Sequence, residues 1–186
     1  MNVTTQSLIP PHPAGSDFEL RAQLRAIYGG GDVQRFHTMR TVKPNTVGQH
    51  SYGVALLCQL LAPNCSKKLL LAALTHDMAE QWTGDVPAPA KIAMGISQSL
   101  HELEETTLLA IGIDYGCDLN QDERRILKLA DTLDGLMFCI LEFNLGNASI
   151  YTALKNFKDY AKKNLVTEHE IKLFRLICDE VQSYER

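Results

Sequence analysis

The chain has 186 residues, of which 45% are hydrophobic and 22% charged, and its formal net charge is −4. At this length we expect a single domain around one hydrophobic core. The acidic balance argues against an extended nucleic-acid surface, which needs a basic face, but it allows a small anionic substrate bound by a metal and a few cations. No apolar run is long enough to span a membrane.

The N-terminus and the cysteines indicate a cellular compartment. Residues 1–15 lack the basic-then-apolar order of a signal peptide, and we expect them to form a tail before a domain at residues 16–186. The five cysteines are odd in number and form no Cys-x-x-Cys pair: Cys58, Cys65, Cys117, Cys139 and Cys178. This pattern predicts reduced thiols and a cytoplasmic protein, and it argues against a cysteine zinc site.

Helical signals begin near the N-terminus and continue along the chain. Ser16 can cap a first helix that reaches about residue 28, where the glycines at 29–31 would stop it. The stretch 33–45 is expected to be irregular or a short helix. A second long helix is predicted over 47–61, and Ser66 would cap a third that continues to about residue 81.

The second half of the chain has the same character. Pro87 and Pro89 predict a non-helical segment over 82–90. The helices predicted after it run from a Ser97 cap to about 111, from an Asn120–Glu123 capping signature to about 145, over 149–164, and onward from a capping box at 167–170. No strand-like alternation persists, so the sequence predicts one all-α bundle of about six or seven helices.

A candidate metal site is formed by two histidines and two aspartates. His76 and Asp77 follow an apolar stretch, where a carboxylate is costly to bury without a partner. The short connection between the second and third predicted helices favours antiparallel packing, which would bring His50 beside this pair. Asp131 lies at the edge of an apolar stripe and could reach the same cleft. This ligand set suits Co²⁺, Mn²⁺ or Zn²⁺, with Mg²⁺ as a further candidate.

These motifs resemble those of a known family. The order His50, His76-Asp77, Asp131 is similar to that of the HD-domain metal-dependent phosphohydrolases, which are all-α. Closer motifs resemble the YfbR-like 5′-deoxynucleotidases over residues 35–142: Arg35-Phe36, Thr46 to Ser51, His76-Asp77-x-x-Glu80, and Thr83 to Lys91. The bacterial family has Trp at the position of Phe36. The same framework also resembles the phage dATP triphosphohydrolases of the DatZ type.

The resemblance implies a metal-dependent enzyme that cleaves the 5′-phosphate ester of deoxyribonucleotides. A monophosphate would give deoxynucleoside plus phosphate; in the alternative, a triphosphatase would release deoxynucleoside plus triphosphate. Glu80 would be the general base or orient the water, and Arg35 would hold the phosphate through its planar fork. The predicted substrate contacts are Arg35, Phe36, Asp77, Asp85, Val86, Pro87, Ala88, Lys91 and Asp131.

Other assignments complete the sequence-based picture. Arg40 and Lys43 are candidates for binding a longer phosphate chain, and Asp134 is expected behind the ligands or at the surface. A non-enzymatic nucleotide-binding module is the remaining alternative, but such a module would need none of the ligands. We expect a small-molecule deoxynucleotide partner, no nucleic acid or membrane, and a homo-oligomer, based on apolar residues of the last two helices: Phe157, Tyr160, Leu173, Phe174, Leu176 and Ile177.

Overall fold

The computed structural model describes residues 6–114 and 118–183, and within these ranges the ordered elements are helical. The helices are α1 Asp17–Asp32, α2 Val47–Leu61, α3 Lys67–Thr75, α4 Glu80–Thr83, α5 Ala88–Ala93, α6 Ser97–Ala110, α7 Gln121–Asn144, α8 Tyr151–Asn164 and α9 Glu168–Ser183, with a 3₁₀ turn at Ala148–Ile150. The predicted all-α class is confirmed. Across the described ranges, no helix has the length and apolar character needed to cross a membrane. Cys117 and residues 1–5 lie outside the described residues, and the boundary at residue 16 stays a prediction.

Most predicted helix starts are confirmed by their capping bonds. The Ser16 and Ser66 side chains accept from the backbone N–H three residues later, at 3.2 and 3.1 Å. Reciprocal capping boxes open α2, α7 and α9, and each such cap contributes about 1 kcal/mol. The predicted Ser97 cap is wrong, because Ile96 is the flanking residue and Ser97 already belongs to α6.

The glycines at 29–31 do not stop the first helix, which continues to Asp32. They allow backbones to approach closely instead. A Cβ built on Gly30 would lie 3.0 Å from the Met78 carbonyl oxygen, and one built on Gly48 would lie 3.1 Å from the Gly31 carbonyl oxygen. Packing of α1 against α2 and against the turn at Met78 therefore overrides the helix-stopping tendency of glycine.

The third helix is shorter than predicted, ending at Thr75 rather than near residue 81. The Met78 N–H donates to the Thr75 carbonyl and the Glu80 N–H to the Asp77 carbonyl, both at 3.0 Å. These i→i−3 bonds tighten the chain into turns, so Glu80 opens the separate helix α4. The 82–90 segment is also partly helical, since Pro89 occupies the first turn of α5, where its missing N–H costs no helical bond.

The hydrophobic core surrounds α7, which packs against α2, α3, α8 and α9. Its fully buried leucines are Leu129, Leu133 and Leu136, and each such side chain contributes roughly 2 kcal/mol by leaving water. This packing fixes α2, which carries His50, relative to α7, which carries Asp131.

The core also accounts for apolar residues that were expected to form an oligomer surface. Phe174 and Ile177 are buried in it, and Phe157 and Leu173 pack against it, which leaves only Tyr160 and Leu176 exposed among the six. The homo-oligomer therefore stays a prediction, and most of the apolar residues that suggested it serve the core instead.

Candidate active site

The four predicted metal ligands lie together. Nε2 of the buried His50 is 3.3 Å from Nε2 of His76 and 3.2 Å from Oδ1 of Asp131. Oδ2 of Asp77 is 3.4 Å from the His76 Nε2 and 3.5 Å from the His50 Nε2. Ligand atoms around one ion, with bonds of about 2.1 Å, are spaced roughly 3–4 Å apart, so the donor set fits a divalent metal. Their assignment as ligands stays a proposal.

Hydrogen bonds behind the imidazoles turn both Nε2 atoms toward this cluster. Oδ2 of Asp134 lies 2.6 Å from Nδ1 of His50, and the Ala73 carbonyl oxygen lies 2.8 Å from Nδ1 of His76. A proton held on each Nδ1 leaves Nε2 as the free donor atom for a metal. A Cβ on Gly53 would collide with the Asp134 carboxylate, so this glycine keeps the space in which Asp134 reaches His50.

Two cations flank the carboxylates. Arg35 donates from Nη1 to Oδ2 of Asp77 at 2.6 Å, and the Lys128 Nζ lies 2.7 Å from Oδ2 of Asp131. Burial alone would lower the pKa of Arg35, but Asp77 and Asp131 outweigh it and raise that pKa, so the guanidinium stays charged. Burial would raise the pKa of Asp131, yet the His50 hydrogen bond and Lys128 hold it well below its usual range. Sequence analysis did not identify Lys128, although its i,i+3 spacing to Asp131 is visible there.

Two groups bind protons unusually well. Burial opposes a charge on His50, but Asp131 and Asp134 raise its pKa to about 9. Burial and the nearby charges of Asp77 and Asp85 raise the pKa of Glu80 to about 8. Among the described residues, the buried Oε2 of Glu80 has no hydrogen-bond partner. A carboxyl group with a pKa close to neutrality is suited to general acid–base work.

A cavity of about 650 Å³ opens beside the cluster, a size suited to a small ligand such as a nucleotide. Three predicted substrate contacts line it: Asp77, Lys91 and Asp131. Lys128 and Arg124 also line it, whereas Arg40 and Lys43, the predicted phosphate-chain cations, do not. The apolar part of the wall comes from Leu100, Leu108, Leu109, Ile113, Leu119 and Leu127.

Two of the remaining predicted substrate contacts, Phe36 and Asp85, are bonded to each other. Phe36 has a positive φ of 55°, and its N–H donates to Oδ2 of Asp85 at 3.3 Å. Its ring packs on Phe138 with centroids 4.7 Å apart. Phe36 and residues 85–88 are not part of the cavity wall, so contact with a substrate through them stays a prediction.

Comparisons with known proteins identify the family. A family model described as "5′-deoxynucleotidase YfbR-like" matches residues 31–112. A 5′-deoxynucleotidase of Pectobacterium atrosepticum is 30% identical over 146 residues, which cover 65% of this chain and 72% of the relative. The chain belongs to the YfbR-like family. Another 5′-deoxynucleotidase, from Photobacterium profundum, is 28% identical to this YfbR-like chain over 179 residues, covering 80% of it and 92% of the relative.

Solved structures share the fold of this YfbR-like chain. The HD phosphohydrolase DatZ of cyanophage S-2L, bound to dA and one catalytic Zn²⁺ ion, matches with a TM-score of 0.64 and 20% identity, covering 92% of this chain and 99% of DatZ. An HD-domain phosphohydrolase from Listeria innocua matches with a TM-score of 0.55 and 18% identity over 88% of this chain and 98% of its own. The predicted enzyme class, an HD-type phosphohydrolase, is confirmed. The matched family segment ends at residue 112, so the case for Asp131 rests on geometry.

Proposed function

We propose that the protein hydrolyses the 5′-phosphate ester of deoxyribonucleoside monophosphates to deoxynucleoside and phosphate. The observation that carries this proposal is the position of His76, Asp77 and Asp131 on the wall of a nucleotide-sized cavity, with His50 buried behind them and Arg35 bonded to Asp77. Membership of a 5′-deoxynucleotidase family supports the choice of substrate.

The four ligands would hold a divalent ion, for which we propose Co²⁺, Mn²⁺ or Zn²⁺. When bound, such an ion supplies a Lewis acid that polarises a phosphoryl oxygen and makes a water more acidic. Asp134 and the Ala73 carbonyl keep the imidazoles in the orientation that this requires. DatZ, which shares the fold and is bound to one catalytic Zn²⁺ ion, supports the choice of a divalent ion.

The other side chains would orient the phosphate and move the proton. Arg35 is held beside Asp77, where its remaining N–H groups can bind the non-bridging oxygens of a phosphate. The buried Oε2 of Glu80 has no hydrogen-bond partner among the described residues, and because its pKa is about 8, the ionised group that can take a proton from the attacking water prevails above that pH. The new bond joins the water oxygen to phosphorus, the bond between phosphorus and the 5′-oxygen breaks, and the leaving oxygen takes up a proton.

A second candidate activity is hydrolysis of a deoxynucleoside triphosphate at the same bond. One observation favours it: Lys91, Arg124 and Lys128 line the cavity, where their charges would attract a longer phosphate chain. A DatZ-like fold is compatible with that activity.

Product analysis separates the two activities. Purified protein, reconstituted with Mn²⁺ or Co²⁺, is incubated with all deoxynucleoside mono- and triphosphates and with their ribose counterparts. We expect deoxynucleoside and orthophosphate from the monophosphates. Deoxynucleoside with intact inorganic triphosphate would instead favour the second candidate. A His76→Ala variant, which lacks one ligand, is the control for contaminating phosphatase, and absence of turnover with every substrate would refute both activities.

A further inference from the structure

Glu142 is a buried carboxylate with no part in the proposed chemistry. It lies near the end of α7 with 0% of its surface exposed. Its Oε2 accepts from the Val42 N–H at 2.7 Å and from the Asn147 amide at 2.8 Å, and its Oε1 accepts from the Lys43 N–H at 2.7 Å. Burial would raise the pKa of Glu142, but these hydrogen bonds and Lys43 lower it. A charged group this deep in the protein is tolerated only with such partners.

The segment that Glu142 holds is the same loop that carries Arg35. The loop leaves α1 at Val33 and returns to α2 at Val47, whose N–H donates to the Val33 carbonyl at 2.9 Å. Inside this closure the Arg35 N–H donates to the Asn45 carbonyl at 2.9 Å. The outgoing limb with Arg35 is therefore bonded to the returning limb, and Glu142 bonds the returning limb to α7.

The end of α7 strengthens this attachment. Gly146 has a positive φ of 88°, and the Asn147 N–H donates back to the Glu142 carbonyl at 3.0 Å, as in a Schellman helix end. The turn brings the Asn147 amide to Glu142 and also to the Arg40 carbonyl, to which it donates at 2.8 Å. Three residues of the loop, Arg40, Val42 and Lys43, are thus bonded to one end of α7.

Helix α7 also carries Asp131 and Asp134, which face His50. The position of the Arg35 guanidinium relative to the proposed metal ligands therefore depends on how the loop is attached to this helix. We propose that Glu142 is a positioning residue that holds Arg35 at the phosphate-binding position, an inference that rests on the proposed function. Displacement of a substrate-orienting group by about 1 Å costs on the order of a hundredfold in rate.

The chain offers a matched control in Glu170. This glutamate is also buried, and it accepts from the successive Val166 and Thr167 N–H groups at 2.7 and 3.3 Å and from Arg125 at 2.9 Å. It fastens the connection between α8 and α9, remote in sequence from the Arg35 loop. Glutamine at either position keeps the size but turns an NH₂ group toward backbone donors, so both substitutions cost stability in the same way.

The test is a double-mutant cycle with dAMP as substrate and Mn²⁺-loaded protein. We expect Glu142→Gln to lower kcat/KM by about ten- to hundredfold, mainly through KM if phosphate binding is disturbed, with unchanged Mn²⁺ affinity. In an Arg35→Gln background the same substitution should cost less than about twofold, because the residue through which it acts is absent. Glu170→Gln should lower the free energy of unfolding and leave kcat/KM unchanged.

Two outcomes of this double-mutant cycle would contradict the proposal. Equal losses from Glu142→Gln with and without Arg35, or a wild-type kcat/KM in the folded single variant, would overturn the positioning role. If Glu142→Gln does not fold, Asn147→Ala replaces it; we expect a loss of about threefold that disappears in the Arg35→Gln background.

Binding of inorganic phosphate separates this inference from the proposed function. Calorimetry with Mn²⁺-loaded protein measures the phosphate affinity of wild type, Glu142→Gln, Arg35→Gln and the double variant. If no deoxynucleotide is hydrolysed, the proposed function fails. The phosphate affinities of the four proteins then test by themselves whether Glu142 positions Arg35. Equal phosphate affinity in wild type and Glu142→Gln would then refute its role.

Discussion

Replacing Asp134 by alanine should lower the affinity of the protein for its divalent ion by about ten- to hundredfold. The carboxylate lies 2.6 Å from Nδ1 of His50, whose side chain is fully buried. Without Asp134 the imidazole loses the acceptor that fixes its orientation, and Nδ1 is left buried without that partner. The fold around α7 should persist, because the Asp134 side chain is not part of the hydrophobic core.

The magnitude follows from the charge that Asp134 helps to stabilise. The pKa of His50 is raised from 6.5 to about 9 against the effect of burial, and the hydrogen bonds to Asp131 and Asp134 are the main causes. A shift of this size corresponds to roughly 3 kcal/mol, and it is what remains after burial and the charge of Arg35, which both lower the pKa, have been overcome. Loss of one of the two carboxylate partners of His50 should therefore weaken binding of the ion by at least about tenfold, the lower end of the range for a residue that orients a metal ligand.

Calorimetric titration with Mn²⁺ or Co²⁺ measures this effect directly. The series contains wild type, Asp134→Ala, Asp134→Asn and a control, Asp159→Ala, which removes an exposed carboxylate that pairs with Lys155 on α8. We expect Asp134→Asn to fall between wild type and Asp134→Ala, because its amide oxygen still accepts from Nδ1. Wild-type metal affinity in a folded Asp134→Ala protein would refute the role assigned to this hydrogen bond.

Four further outcomes are expected. Glu80→Gln should lower kcat by about a hundredfold or more, the effect expected for loss of a general base, and calorimetry should show an unchanged Mn²⁺ affinity. Normal turnover would exclude Glu80 as the base. Arg35→Lys should raise KM for dAMP about tenfold in steady-state kinetics, because an ammonium lacks the planar fork, and an unchanged KM would contradict phosphate binding by Arg35. Gly53→Ala should weaken metal binding as Asp134→Ala does, since its Cβ would displace that carboxylate, and a titration that matches wild type would show that the helix adjusts. In metal-free protein, folding raises the pKa of Glu80 from 4.5 to about 8 and the pKa of His50 from 6.5 to about 9. Both groups therefore bind more protons in the folded than in the unfolded state. The free energy of unfolding from urea titrations should therefore fall between about pH 4.5 and pH 9, and a flat or rising profile would contradict these shifts.

The parts of the site that were predictable are those in which residue type determines chemistry. His76 and Asp77 are conspicuous because a carboxylate next to an apolar helical stretch needs a partner, and antiparallel packing of two helices predicts that His50 meets them. Asp131 is predicted separately, from its position at the edge of an apolar stripe. The structure places ligand atoms of His50, His76 and Asp131 within 4.8 Å of one another, and Asp77 lies 3.4 and 3.5 Å from the two histidines. The helix starts were also predictable, since capping is a local interaction of three or four residues.

The parts that were not predictable depend on packing between distant segments. Residues 76–79 contain no glycine or proline, and nothing local shows that α3 ends at Thr75. Glu142 looks like any residue near the end of a long helix, because its partners Val42 and Lys43 lie about one hundred positions away. The glycines at 29–31 have the local pattern of a helix stop, and the neighbours that they accommodate, Met78 and Gly48, are remote in the sequence.

The close contacts of these glycines have a consequence for mutational tolerance. Gly48 is two residues before His50 and Met78 directly follows Asp77, so these two close contacts of α1 adjoin two of the ligands. A methyl group at Gly30 or Gly48 would push apart backbone segments that must stay in register for the imidazole and the carboxylate to face each other. In a saturation mutagenesis scan, these positions should therefore rank with the ligands themselves, although a glycine has no functional group to lose.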